Sequence, residues 1–280
     1  MKWCISSIAW TPTEEPAVAD LMAAHGFTGV ELAPGKLFAG SPLEASDGQI
    51  RAVRAFWGSR GISIAAMQAL LFGHPELTLF QSADARERTQ DYLSYLIALA
   101  GRLGVPALVF GAPKNRARLG LPEDEARRIA LDFFGGLGRA AEREGTCLCI
   151  EPNPPQYGAD FITDSVQALA LVEAVGSKGF GLHLDAACAR LTGEDFPARI
   201  AASAAWLRHL HLSEPQLAPV RPEGTADLSA ITTALQGIDY PGYVSIEMRG
   251  DDSGGNLDRV KTALRHVRGG SPSEPPRLRG

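Results

Sequence analysis

The sequence predicts an α/β protein built as a single, closed (β/α)8 barrel. Three observations carry this. Short apolar runs alternate with longer amphipathic stretches eight times, at a spacing of roughly 25–45 residues. The chain has 280 residues, near the usual size of that fold and long enough to bury a large core. No glycine-rich dinucleotide fingerprint follows the first apolar run, which removes the usual reason to prefer a doubly wound open sheet.

The elements follow in order. The first strand is expected at 3–9, with a helix at 14–25 stopped by Gly26. The second pair is 29–33 and 47–59, ending before Gly61. The third is 63–68 and 83–103, with Gly104 as its stop. The fourth is 107–110 and 122–144, where Pro122 opens the helix and Gly145 closes it, the expected punctuation of helix ends. Strands at 147–151, 181–185, 207–213 and 243–247 precede helices at 164–175, 197–205, 228–236 and 256–267. The barrel thus spans 1–268. The remainder, 269–280, is rich in Pro, Ser and Arg and is expected to be a disordered tail.

Composition narrows the function. Lys plus Arg is 27 and Asp plus Glu is 32, a formal net charge of −5. So acidic a chain is a poor partner for nucleic acid, which recruits positive charge. No apolar run approaches the ~20 residues of a membrane span. The run after Lys2 is too short for a secretory signal and lacks a small-residue cleavage site. The four cysteines, Cys4, Cys147, Cys149 and Cys188, are too few for a disulfide scaffold. A reduced, cytoplasmic protein is expected.

In such barrels chemistry sits at the C-terminal ends of the strands. Strands five to eight each end in an ionisable residue there: Glu151, Asp185, His211 and Glu247. The spacings of 34, 26 and 36 residues are one βα unit each. Any one of these, alone, is as well explained as a paired rim residue; four in phase on adjacent strand ends are not. Carboxylates with one imidazole suit one divalent cation, Mn2+ first and Mg2+, Co2+ or Zn2+ as alternatives. Three carboxylates together are costly unless a cation or protons neutralise them.

Other candidates surround this set. Glu31 and Gln68 end strands two and three and are expected at the mouth, either supporting a ligand residue or orienting substrate. His183 lies two residues before Asp185, on the same side of the strand, and either offers its imidazole to substrate or serves as a supporting or core histidine. His209 is in phase with His211, one layer deeper, and is expected to be structural or to support a ligand residue. Arg249 is in phase with Glu247, one layer further out, and either holds a hydroxyl, carboxylate or phosphate or pairs with a rim acid. Lys114, Asn115 and Arg116 follow strand four, where they either receive an anionic group or form a solvated loop. Asn153 and Tyr157 follow Glu151 and are placed to contact a ligand, and Tyr157 and Trp10 are candidate lid or wall aromatics at the mouth. Cys188 near the mouth has no activating base in the sequence and is expected to be a buried thiol.

Several segments carry a resemblance: Met67-Gln68-Ala69-Leu70-Leu71-Phe72-Gly73, Glu151-Pro152-Asn153-Pro154, Gly181-Leu182-His183-Leu184-Asp185, His209-Leu210-His211-Leu212-Ser213-Glu214 and Ser245-Ile246-Glu247-Met248-Arg249. In these the chain resembles the sugar isomerase/epimerase superfamily of xylose-isomerase-like barrels, from about residue 3 to about 268. Ketose 3-epimerases, hydroxypyruvate isomerase, inosose dehydratase and endonuclease IV share that architecture. The resemblance implies that Glu151, Asp185, His211 and Glu247 bind one metal. It also implies that Glu151 and Glu247 act as an acid/base pair on opposite faces of a substrate carbon. The expected reaction is isomerisation or epimerisation of a small sugar or sugar-like carbonyl compound through a metal-stabilised enediolate. A homodimer or homotetramer is also implied.

One departure limits the transfer of specificity. Many ketose epimerases place a sugar-contacting His three residues after the strand-six Asp, where this chain has Cys188. A dehydratase on the same scaffold shares the first proton abstraction and differs by loss of water from the product. A phosphodiesterase like endonuclease IV needs more histidines than the six present and a basic surface. A non-catalytic ligand-binding barrel is disfavoured by the intact quartet.

Overall fold

The computed structural model describes residues 1–38 and 41–269. The tail expected at 269–280 lies outside the described residues except for Gly269.

Eight parallel strands form the sheet: β1 Lys2–Ile5, β2 Gly29–Leu32, β3 Ser63–Met67, β4 Ala107–Phe110, β5 Cys147–Ile150, β6 Phe180–Asp185, β7 Leu207–Ser213 and β8 Tyr243–Glu247. Their order is β1-β8-β7-β6-β5-β4-β3-β2. A parallel bridge from Ser6 to Glu31 joins the two ends, so the sheet is a nearly closed barrel. Among the described residues ten α-helices surround it: α1 Glu15–Ala24, α2 Pro34–Leu37, α3 Asp47–Gly58, α4 Ala83–Leu103, α5 Glu123–Arg143, α6 Ser165–Val175, α7 Ala186–Thr192, α8 Phe196–Ala202, α9 Leu228–Gly237 and α10 Asn256–Val267. The expected barrel is therefore observed.

Local chemistry sets the helix ends. Ser46 Oγ accepts from the Gln49 amide and the Gln49 side chain returns the bond, a capping box that starts α3. Ser82 Oγ accepts the Ala85 amide to cap α4, and Asp164 Oδ1 accepts the Gln167 amide to cap α6. Gly104 and Gly176 stop these helices at φ of 75° and 62°, where a Cβ is strained.

Several elements differ from expectation. The first strand ends at Ile5, because Ser6 Oγ accepts the Ile8 amide and turns 7–9 into a 3-10 turn. Helix α8 ends at Ala202, short of the expected 205, and the short helices α2 and α7 were not expected. Asp185 ends β6 and caps α7 directly, with no intervening loop to mark the change.

Alternation along each strand separates two environments. Ile5, Val30, Leu32, Ile64, Leu108, Phe110, Leu148, Ile150, Leu182, Leu184, Leu210, Leu212, Val244 and Ile246 face the helices and are almost fully buried. This shell holds most of the apolar core. The opposite positions line the lumen and are small or polar. Ala66, Ala107, Cys147 and Cys149 form one small-residue cluster on β3–β5. Their modest volume leaves room for the imidazoles of β6 and β7. All four cysteines are free thiols. No described helix is long and apolar enough to cross a membrane.

Candidate active site and metal centre

The register places the ionisable ends of β6–β8 side by side. Asp185 aligns with His211, and Ser213 aligns with Glu247. Glu151 follows β5 directly, its amide held by the Phe110 carbonyl of β4 at 3.1 Å. Around the mouth the order is Glu151, Asp185, His211, Glu247, with the two glutamates at the outer positions.

Asp185, His211 and Glu247 each present a donor atom within 4.8 Å of the others. Glu151 joins through two neighbouring triads, one with His183 and His211, the other with Asp185 and Cys188. His211 Nδ1 lies 3.2 Å from Glu247 Oε2 and 4.0 Å from Asp185 Oδ2. It is fully buried and makes no hydrogen bond of acceptable geometry. A ring nitrogen and two carboxylates converging without bonding one another is the arrangement of donors around a shared cation. Asp185 is fixed by two further bonds: Oδ1 accepts the Cys188 amide at 2.7 Å, and Oδ2 accepts the Ser213 hydroxyl.

Crowding shows in the titration of the cluster. Burial, then Asp185, then Glu247 push the Glu151 carboxyl up to about 8, against a smaller lowering by His211 and Asn153. For His211, burial opposes the charged form, but Glu31 and Glu247 outweigh it and hold the imidazole well above its ordinary value.

Beneath the rim lies a second polar layer. Glu31 is fully buried in the lumen rather than at the mouth, which corrects the sequence expectation. The chain crosses a register shift between Val30 and Glu31. Glu31 Oε1 accepts from His211 Nε2 at 3.0 Å and from His209 Nε2 at 3.1 Å; Oε2 accepts the Ser245 hydroxyl at 2.7 Å. Burial would raise the Glu31 carboxyl, but the two imidazoles hold it well below the usual carboxylate range. A carboxylate on Nε2 leaves Nδ1 of His211 as the ring atom facing Asp185 and Glu247. His183 packs edge-on to His211 at 4.1 Å between ring centroids, with Nδ1 3.6 Å from Glu151 Oε1. Burial and the two neighbouring imidazoles depress it well below its ordinary value, so it is neutral.

The wall behind Glu151 rests on a residue that sequence reasoning placed differently. Arg116 is fully buried, not a solvated loop cation. Its guanidinium donates to the carbonyls of Glu151 at 2.7 Å, Phe161 at 3.2 Å, Phe110 at 3.3 Å and Gly111, and to Asn153 Oδ1 at 2.9 Å. Burial lowers it to about 10, which leaves it charged at neutral pH. Asn153 is thereby engaged: its oxygen serves Arg116 and its amide nitrogen sits 4.0 Å from Cys188 Sγ. Asn115 is likewise structural, donating to the carbonyls of His74 and Leu77. A single arginine in a polar loop carries no pattern from which burial could be read.

The remaining candidates divide. Gln68 donates to Ser6 Oγ at 2.6 Å and lines a cavity of about 420 Å3 with Leu71, Phe72, Lys114, Glu151 and Arg249. The Tyr157 hydroxyl accepts the Gln216 amide at 2.9 Å. Trp10 is buried at 2% exposure and is no open wall. The Cys188 thiol is pushed far up by burial, Asp185 and Glu151, which makes it a poor nucleophile. Ser213, Ser245 and Gly111 were missed. The two serines share the phase of His211 and Glu247, so alternation along the strand marks them. A Cβ at Gly111 would collide with Glu151 Oε2, a constraint invisible without the coordinates.

The family model for the xylose isomerase-like TIM barrel matches residues 19–269. The chain belongs to that family. No curated relative matches the chain. Among solved structures it is similar to 3-keto-D-glucoside 4-epimerase from E. coli, at 18% identity and a TM-score of 0.80, covering 96% of this chain and 99% of that one. It is also similar to L-ribulose 3-epimerase, at 20% identity and a TM-score of 0.77, covering 96% and 94%. D-psicose 3-epimerase from Clostridium cellulolyticum H10, solved with D-tagatose, matches at 20% identity and a TM-score of 0.75, covering 98% and 93%.

Proposed function

We propose that the protein is a divalent-metal-dependent isomerase or epimerase of a small sugar or sugar-like carbonyl compound. The observation that carries this is the rim itself: two glutamates at the outer positions of a row whose middle is an aspartate and an unbonded imidazole nitrogen. The names of the solved epimerases on the same fold support the reaction class.

Asp185, His211, Glu247 and Glu151 would hold the cation, and the donor set suits Mn2+, with Mg2+, Co2+ or Zn2+ as alternatives. When bound, such an ion polarises a carbonyl and offsets the negative charge that develops as a proton leaves the neighbouring carbon. The chain's own groups do the rest. One of Glu151 and Glu247 removes the α-proton, and the other returns a proton to the opposite face or the adjacent carbon. Glu31 keeps the His211 ring in one orientation throughout.

Elemental analysis of the purified protein tests the metal. About one ion per chain is expected, lost in the Asp185→Ala/His211→Ala double variant. Glu151→Gln and Glu247→Gln should keep the native circular dichroism and lose turnover of ketoses and aldoses by about 10²–10⁴-fold. Full turnover in either variant removes the acid/base assignment. A product lighter by one water makes the enzyme a dehydratase.

A further inference from the structure

We propose that Lys114 and Arg249 form an anion subsite beside the carboxylate row, so that the natural substrate is a hydroxycarbonyl compound bearing a carboxylate or a phosphate. The inference rests on the isomerase reading and specifies its substrate class.

The cavity of about 420 Å3 opens directly on Glu151 and is lined by both cations. Its size suits a small metabolite. Lys114 and Arg249 are solvent-exposed, line a cavity that also contains a carboxyl, and form no ion pair among the described residues. The acids two residues from Arg249 in sequence have other partners. Glu247 faces His211, and Asp251 takes Arg259 and the Ser253 hydroxyl.

Both cations stand on anchored backbone. Lys114 directly precedes Asn115 and Arg116, whose side chains are tied to carbonyls across the mouth. The preceding Ala112 holds a left-handed φ of 44°, a strained conformation for a residue with a Cβ. The Arg249 amide donates to Leu217 O at 2.9 Å, and the next amide, Gly250, donates to Ile8 O at 2.9 Å. Ordering on binding is therefore confined to the two side chains. A neutral sugar is recognised by amides and hydroxyls and has no use for two unpaired charges. A carboxylate or phosphate accepts from both, the guanidinium in two-pronged fashion. The apolar wall of Leu71 and Phe72 faces the carbon chain, and Phe72, 88% exposed, is free to pack on a bound ligand.

The test compares kcat/KM for one neutral sugar, the same sugar with a terminal phosphate, and the same sugar with a terminal carboxylate. One anionic form should exceed the neutral parent at least tenfold, and which one does so names the group. That ratio should fall about tenfold to a hundredfold in Lys114→Ala and in Arg249→Ala, the range of a charge-assisted hydrogen bond. It should hold in Lys178→Ala, an exposed lysine before β6 at the opposite end of the barrel. A neutral parent turned over as well as both anionic forms overturns the proposal, as does an equal loss on all three compounds in the variants. If nothing is turned over, the isomerase reading falls and calorimetry with inorganic phosphate decides the subsite. Binding lost in the Lys114→Ala/Arg249→Ala double variant supports it, and no binding by the unaltered protein overturns it.

Discussion

Replacing Glu31 by Gln removes one charge from the centre of the barrel while keeping its shape. The carboxylate serves three donors at 3.0, 3.1 and 2.7 Å, from His211, His209 and Ser245, and is fully buried. Taking the charge from a buried ionic cluster costs about 3–5 kcal/mol when the partners are left behind. The amide of Gln still accepts from one imidazole, so the expected loss is about 3 kcal/mol. For a large domain this lowers Tm by about 6–12 °C, at roughly 2–4 °C per kcal/mol. Calorimetry measures it. Because Glu31 also orients His211, the variant should bind Mn2+ about 10–100-fold more weakly, as for other carboxylates that hold a metal-ligating imidazole. Ser245→Ala, which removes one neutral donor, should cost about 1 kcal/mol. A Glu31→Gln protein with unchanged Tm and unchanged Mn2+ affinity would refute the reasoning. A lowered Tm with unchanged affinity would leave Glu31 a purely structural acid.

Three other outcomes are expected. The Glu151 carboxyl is raised by burial and its acidic neighbours from 4.5 to about 8, so the folded protein binds the extra proton between these values. Chelator-treated protein should therefore lose stability as pH rises from about 4.5 to about 8, and Glu151→Gln should flatten that slope in urea unfolding, most visibly below about 6.5, where the raised His211 imidazole does not yet contribute. Gly111→Ala forces the Glu151 carboxylate to move; turnover should fall about a hundredfold, the cost of an ångström of misplacement, with Tm nearly unchanged. Arg116→Met removes the side-chain donor from the carbonyls of Gly111, Glu151 and Phe161; at about 1–3 kcal/mol for each unsatisfied buried group, urea unfolding should show a loss of at least about 3 kcal/mol.

The barrel was legible because its signal is periodic. Apolar runs, glycine stops and proline starts repeat eight times, and the residues ending strands five to eight stand one βα unit apart. What was not legible has local causes. Helix α7 begins on the residue that ends β6, so no polar turn announces it. Glu31 lies below the rim because β1 closes on β2 through a single bridge at that residue, and periodicity does not report depth. Arg116 and Asn153 bond each other and the backbone, a pairing across 37 residues that leaves no trace in either segment. The cations Lys114 and Arg249 were visible as residues. Their shared cavity required the fold.

The guanidinium of Arg116 welds the ends of β4 and β5 to the 161–162 turn, so one bank of the mouth behaves as masonry. Insertions there would break several buried bonds at once. The neighbouring stretch after β3, 69–73, is held by turn bonds of its own, Phe72 N to Ala69 O and His74 N to Leu71 O, with Leu70 and Leu71 buried beneath it and Phe72 left exposed. A lineage or an engineer seeking a new substrate would have to write it at that exposed side chain, leaving the chemistry beside it untouched.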